Sequence, residues 1–122
     1  MVRYRLSRLA EVDIAHTLAT SEERWGTDGR RRYAAILAAA MRKVAAEPRG
    51  PTTRERTDLL PGIRSLHVRH ACDGDPEAKV RRPVHVLYYR ALAPGLIEIV
   101  RVLHERMEPA RHAGTGSAAR DW

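Results

Sequence analysis

Cysteine, lysine and long apolar runs are nearly missing from this 122-residue chain, and each shortage closes off a class of protein. Cys72 is the single cysteine, so no disulfide can form within the chain and a reducing cytoplasm is the expected setting. It lies in a polar stretch with no activating base beside it, which argues against a thiol nucleophile. No apolar run approaches the roughly 20 residues that a membrane-spanning helix needs, so no membrane partner is expected. The N-terminus enters an alternating segment at once, without the apolar core of a secretion signal. No internal repeat is visible.

What is abundant is arginine. The chain carries 22 Lys+Arg against 15 Asp+Glu, a formal net charge of +7, and Lys43 and Lys79 are its only lysines. The planar guanidinium fork matches phosphate and carboxylate, so the expected partner is acidic, whether nucleic acid or protein. Composition does not separate those two, and abundant arginine and alanine also fit a GC-rich coding sequence. The length suits one domain, expected over residues 1–112, with 113–122 as a flexible tail.

Periodicity divides the chain. Val2, Tyr4 and Leu6 alternate as a first strand, and Ser7 is placed to cap a following helix. Ala10, Ile14, Leu18, Ser21 and Trp25 then recur at helical spacing. Gly26 breaks that helix, and Thr27 or Asp28 can start another. The second helix carries Tyr33, Ile36, Leu37, Ala40, Met41 and Val44 on one side and ends at Pro48 and Gly50. The two should fold into an antiparallel hairpin. Residues 47–62 read as a surface connection. Ile63–Arg69 alternates as a strand, then comes the polar insert Arg69–Pro83. Val84–Arg90 and Leu96–Leu103 read as strands joined by Ala93-Pro94-Gly95. The order β-α-α-β-β-β predicts an α+β domain, a helical hairpin packed on a small antiparallel sheet. Leu18, Leu37, Val44, Leu66, Val86 or Leu87, Ile99 and Leu103 are the expected core.

Few motifs carry chemistry. The six histidines (16, 67, 70, 85, 104, 112) show no zinc spacing, so no metal or other cofactor is expected. No serine sits in a nucleophile elbow, and Asp73 and Asp75 fit solvated turn positions. Metal-free RNA cleavage needs a base, a cation and an acid, and His85, Arg101, Arg106 and His112 could supply them. A basic rim on a small sheet more often only binds, so no catalytic residue is assigned. The expected binding surfaces are two. One is the segment after the last strand, with His104, Arg106, Met107, Arg111 and His112. The other is a groove for a partner's acidic amphipathic segment, with Trp25, Tyr33, Leu37, Met41, Arg90 and Arg101. For Trp25 and Tyr33 the plainer reading is core residues that clamp the hairpin.

The succession Leu6-Ser7, R-W-G at 24–26, Tyr33, G-x-R-S-L at 62–66, Y-Y-R at 88–90 and R-V-L-H-E-R-M at 101–107 resembles the ParE-type toxins of the RelE/ParE superfamily. The resemblance covers residues 2–112. It implies a compact β-α-α-β-β-β toxin made beside an antitoxin that dimerises through a ribbon-helix-helix DNA-binding domain. It also implies a cytoplasmic hetero-oligomer with that ParD-like antitoxin, and contact with DNA only through antitoxin or gyrase. ParE-type members poison DNA gyrase, whereas RelE-type members cut mRNA on the ribosome. RelE-like nucleases have arginine where this chain has His85 and tyrosine near His112, so the resemblance favours the first group: a non-enzymatic gyrase inhibitor, its toxic surface at the segment after the last strand. The alternatives are a RelE-like ribonuclease and a non-toxic regulatory subunit acting only with its antitoxin.

Overall fold

The computed structural model describes residues 3–71 and 82–107. Strand β1 (Arg3–Leu6) leads directly into α1 (Arg8–Ala46) through Ser7. Ser7 has extended backbone, and its hydroxyl oxygen accepts the amide of Ala10 at 3.0 Å, as an N-cap does. The same hydroxyl donates to the carbonyl of Val100 at 2.8 Å, so one side chain fixes the helix start against the sheet.

Helix α1 is folded back on itself. Gly26, at φ 73° and ψ −170°, is its one non-helical residue, a conformation essentially reserved for glycine. The reversal is visible in one contact set: Thr17 and Tyr33 both touch the ring of His85. In a straight helix these two residues would stand about 24 Å apart. The hairpin expected from Gly26 is therefore formed.

The sheet has five strands in the order β1-β5-β4-β3-β2, with β2 Arg54–Glu55, β3 Arg64–His67, β4 His85–Ala93 and β5 Leu96–His104. All neighbours are antiparallel except β1 with β5. The β4–β5 turn is Pro94-Gly95; proline presets the first central φ and Gly95 supplies φ 77° at the second. The expected α+β architecture is thus present, with two local differences. Residues 47–62 contain the short strand β2. The strand expected over Ile63–Arg69 stops at His67, where a 3₁₀ turn (Val68–Ala71) begins beside α1. Alternation reports which side is buried, not where ladder partners end, and Val68 is fully buried in the 3₁₀ turn.

Apolar side chains pack on both sheet faces. Ile36, Leu37, Ala40 and Val44 meet Leu66, Leu87, Tyr89, Ile97, Ile99 and Val102 on the helix side. Ile63, Tyr88, Val100 and Leu103 form a second cluster, covered by Leu59, Leu60 and Val86. β5 feeds both faces by alternation, and a bulge shifts its phase so that Ile99 and Val102 lie on the same face. Tyr88 pairs Arg101 while Tyr89 pairs Ile99, and the skipped Val100 joins the second cluster while Ile99 stays in the first. Of the expected core, Leu37, Val44, Leu66, Leu87, Ile99 and Leu103 are buried, and Leu18 packs at the edge. Each full burial of such a side chain stabilises by roughly 1.5–3 kcal/mol.

Candidate functional site: a cationic cleft between the hairpin and the sheet

The fold-back of α1 and the paired ends of β4 and β5 enclose a cleft of about 1090 Å³. At its base, Tyr33 brings a hydroxyl to within 2.5 Å of Nδ1 of His85, and Thr17 meets Nε2 of the same ring at 3.4 Å. The amide of Val84 donates to the Tyr33 oxygen at 3.1 Å. A neutral imidazole, one nitrogen protonated and the other accepting, can engage both hydroxyls. This neutral form agrees with the ring's titration, which is lowered to about 4. Burial is the main cause, followed by the like charges that His104 and His67 would carry. His85 and His104 stack edge to face at 5.6 Å.

The neighbouring polar groups are also occupied. The carboxylate of Asp13 accepts both Nε and Nη2 of Arg101, at 2.8 and 3.0 Å, and the amide of Val102 at 2.9 Å. It therefore satisfies β5 where the strand runs beyond its β1 pairing. His67 accepts the amide of Arg69 on Nδ1 and donates from Nε2 to Glu105 at 2.7 Å, which holds the Glu105 carboxyl below its ordinary range. Among the described residues no group of three or more His, Cys, Asp or Glu could hold a metal ion.

The residues expected at the two binding surfaces are scattered. Trp25 is 65 % exposed at the cleft mouth, so the reading of it as a core clamp is overturned. Trp25 lies at the fold-back, immediately before Gly26. Tyr33, Leu37 and Met41 are buried, at 5, 1 and 7 % exposure. They form the packed side of the hairpin and not an open groove, because the apolar stripe that marks a docking face also marks a core face. Arg101 is held by Asp13. Arg90 shares Glu98 with Arg5, at 2.8 and 3.1 Å, so it lies on another part of the sheet. In the segment after β5, His104 lines the cleft and accepts the Arg106 amide at 3.0 Å, Arg106 is exposed, and Met107 is 43 % exposed. Arg111 and His112, like Cys72, Asp73, Asp75 and Arg81, lie outside the described residues.

Sequence reasoning missed Asp13, Thr17, Arg24 and Arg32 as cleft residues. One signal was available: Asp13, Thr17 and Ser21 repeat at intervals of four, a polar stripe beside the apolar one, and Thr17 and Ser21 are buried. The arginines carried no such mark.

The sequence profile described as "ParE toxin of type II toxin-antitoxin system, parDE" matches residues 4–109, from β1 past the end of β5. The chain belongs to the ParE toxin family. A protein named "Toxin ParE1" from Mycobacterium tuberculosis is 32% identical over 110 residues, covering 90% of this chain and 96% of its own. Another "Toxin ParE1", from Caulobacter vibrioides, is 32% identical over 114 residues, covering 93% of this chain and 100% of its own. The family likeness read from the sequence thus holds over nearly the whole fold. ParE-family membership makes this the toxin of a type II toxin–antitoxin module, and it implies a cognate antitoxin as partner. No helix among the described residues is long and apolar enough to cross a membrane.

Proposed function

We propose that this ParE-family chain inhibits DNA gyrase by binding, without chemistry of its own, and is neutralised in the cytoplasm by a ParD-like ribbon-helix-helix antitoxin. The observation that carries the non-enzymatic part is the enclosure of His85. Both ring nitrogens are engaged by Tyr33 and Thr17, so the ring is not offered to a substrate as a base. Arg101, the cation a ribonuclease would need beside it, is neutralised by Asp13. Two of the four groups considered for RNA cleavage therefore serve the fold. The gyrase target rests on the family likeness.

The toxic surface on this reading is the segment from His104 through Arg106 and Met107 to Arg111 and His112, in which Met107 offers an exposed, polarizable thioether next to Arg106. The antitoxin contributes an acidic amphipathic segment that reaches the exposed Trp25 and also Arg90, while Tyr33, Leu37, Met41 and Arg101 hold the hairpin on the sheet that presents them. Buried anchors hold such a partner while charge steers it, so the complex should survive a few hundred millimolar salt.

The test is a supercoiling assay with purified gyrase, run beside RNA-cleavage assays with and without ribosomes. Loss of supercoiling with intact RNA, reversed by the antitoxin, is the expected outcome. The double variant Arg106→Ala/Arg111→Ala should keep its melting temperature and antitoxin binding while losing gyrase inhibition. RNA cleavage would overturn the reading in favour of a RelE-like nuclease. Inhibition unchanged in the double variant would move the toxic surface elsewhere, first to Arg81-Arg82.

A further inference from the structure

We infer that the cleft between the folded-back helix and the ends of β4 and β5 binds single-stranded nucleic acid, with Arg24, Arg32 and Arg82 meeting backbone phosphates and Trp25 stacking a base. The three arginines come from three places in the sequence: before the fold-back, after it, and just ahead of β4. All three line the same cleft and are exposed. None has an ion-pair partner among the described residues. The two carboxylates that line the cleft already face other arginines, Asp13 with Arg101 and Asp28 with Arg31. Arg82 feels Glu105 only at a distance, because that carboxylate is bonded to His67. Among the described residues the cleft therefore holds three guanidiniums without an ion-pair partner, next to Trp25, which is 65 % exposed. Arginine forks beside an open aromatic face are what sequence-tolerant single-strand binding uses: phosphates are neutralised and a base stacks.

One further feature favours a polynucleotide over the acidic peptide that the same charge would attract. An amphipathic helix needs a continuous apolar floor. Here Val84 and Val102 are interrupted by the Thr17 and Tyr33 hydroxyls and the rings of His85 and His104. This inference goes beyond contact with DNA through gyrase or antitoxin and stands apart from the gyrase reading. A chain that binds oligonucleotide but leaves gyrase untouched would keep this inference and sink the other.

The experiment is anisotropy titration of the full chain, free of antitoxin, against fluorescein-labelled oligothymidylate and oligouridylate of about 12 nucleotides. Three phosphate contacts on a single strand should give a log–log salt slope of about −2. Arg24→Ala/Arg32→Ala should bring the slope to roughly −0.7 and weaken binding at least about tenfold. Trp25→Ala should weaken binding about 5- to 150-fold and leave the slope unchanged. All three positions are exposed, so thermal melts of the variants should match the parent. Arg42→Ala/Arg49→Ala removes the same charge from exposed positions outside the cleft lining and should change affinity less than about twofold. A preference for one sugar would identify the polymer and leave the site standing. The inference fails if no binding is seen at low salt, if both double variants lose affinity equally, or if polyglutamate binds where the oligonucleotides do not.

Discussion

Asp13 and Arg101, 88 residues apart, form a two-pronged ion pair at the exposed edge of β5, with the Asp13 carboxylate also accepting the Val102 amide. Their side chains are only 13 and 12 % exposed. Removing one partner of a largely buried pair leaves the other uncompensated, and here it also loosens the hairpin from the sheet. Arg101→Ala should destabilise the protein by roughly 2–4 kcal/mol, and Asp13→Ala by a similar amount. The double variant should fall short of the sum of the two. Urea unfolding of the three variants checks this; strictly additive losses would mean the pair contributes no coupling.

Gly26 permits a test of backbone strain separated from packing. A Cβ built there meets nothing within 4 Å, yet φ is 73° with ψ −170°. Gly26→Ala should therefore cost about 1–3 kcal/mol through conformation alone. A variant as stable as the parent in guanidinium titrations would mean that the fold-back does not require this conformation.

Glu98 is nearly buried and is held from both sides, by Arg5 on β1 and Arg90 on β4. Either arginine alone keeps the carboxylate paired. Arg5→Ala and Arg90→Ala should each cost no more than about 1 kcal/mol, since the two side chains are 60 and 41 % open to solvent. The double variant strands the carboxylate and should cost clearly more than the sum. The comparison is a double-mutant cycle by thermal or chemical unfolding, and a sum that closes would show that Glu98 is adequately served by water.

His85 makes stability depend on pH in a defined direction. Its folded ring titrates at about 4, below the ordinary 6.5, so the unfolded chain takes up a proton at a pH where the folded one does not. The stabilisation is complete above about 6.5 and is lost progressively as pH falls towards 4. The loss should reach the order of 2 kcal/mol. His85→Gln removes the titration, so the difference between parent and variant stability should narrow across that window. An unchanged difference from pH 7 to 4.5 would place the origin of the acid sensitivity in other groups.

Much of the fold is local and therefore legible. Ser7 caps because its side chain reaches an amide three residues on, and Pro94-Gly95 turns because of two φ preferences. Gly26 reverses the helix for the same kind of reason. The β4 and β5 alternation follows from a pleat that any sequence in that conformation would obey. The family likeness is equally linear, a succession of short motifs in order, and it holds over residues 4–109.

The site was less legible because its members meet only in three dimensions. Periodicity identified an apolar stripe over Tyr33, Leu37 and Met41, but a stripe does not say whether its cover is the protein's own sheet or a partner. Here the sheet covers it, and Trp25, on the first helix's predicted stripe, is left outside by the fold-back.

The amino-acid sequence by itself determined the elements, their order, the break at Gly26, the basic character and the family, since each depends on neighbours a few residues apart or on summed composition. Only the tertiary structure decided which charges remain available. Arg101 is neutralised by an aspartate 88 residues away, and His85 is enclosed by Tyr33, 52 positions before it. Arg24, Arg32 and Arg82 line one cleft without an ion-pair partner among the described residues, whose two cleft carboxylates face other arginines. Electrostatic pairing acts over a few ångströms of space, and separation along the chain does not record that distance.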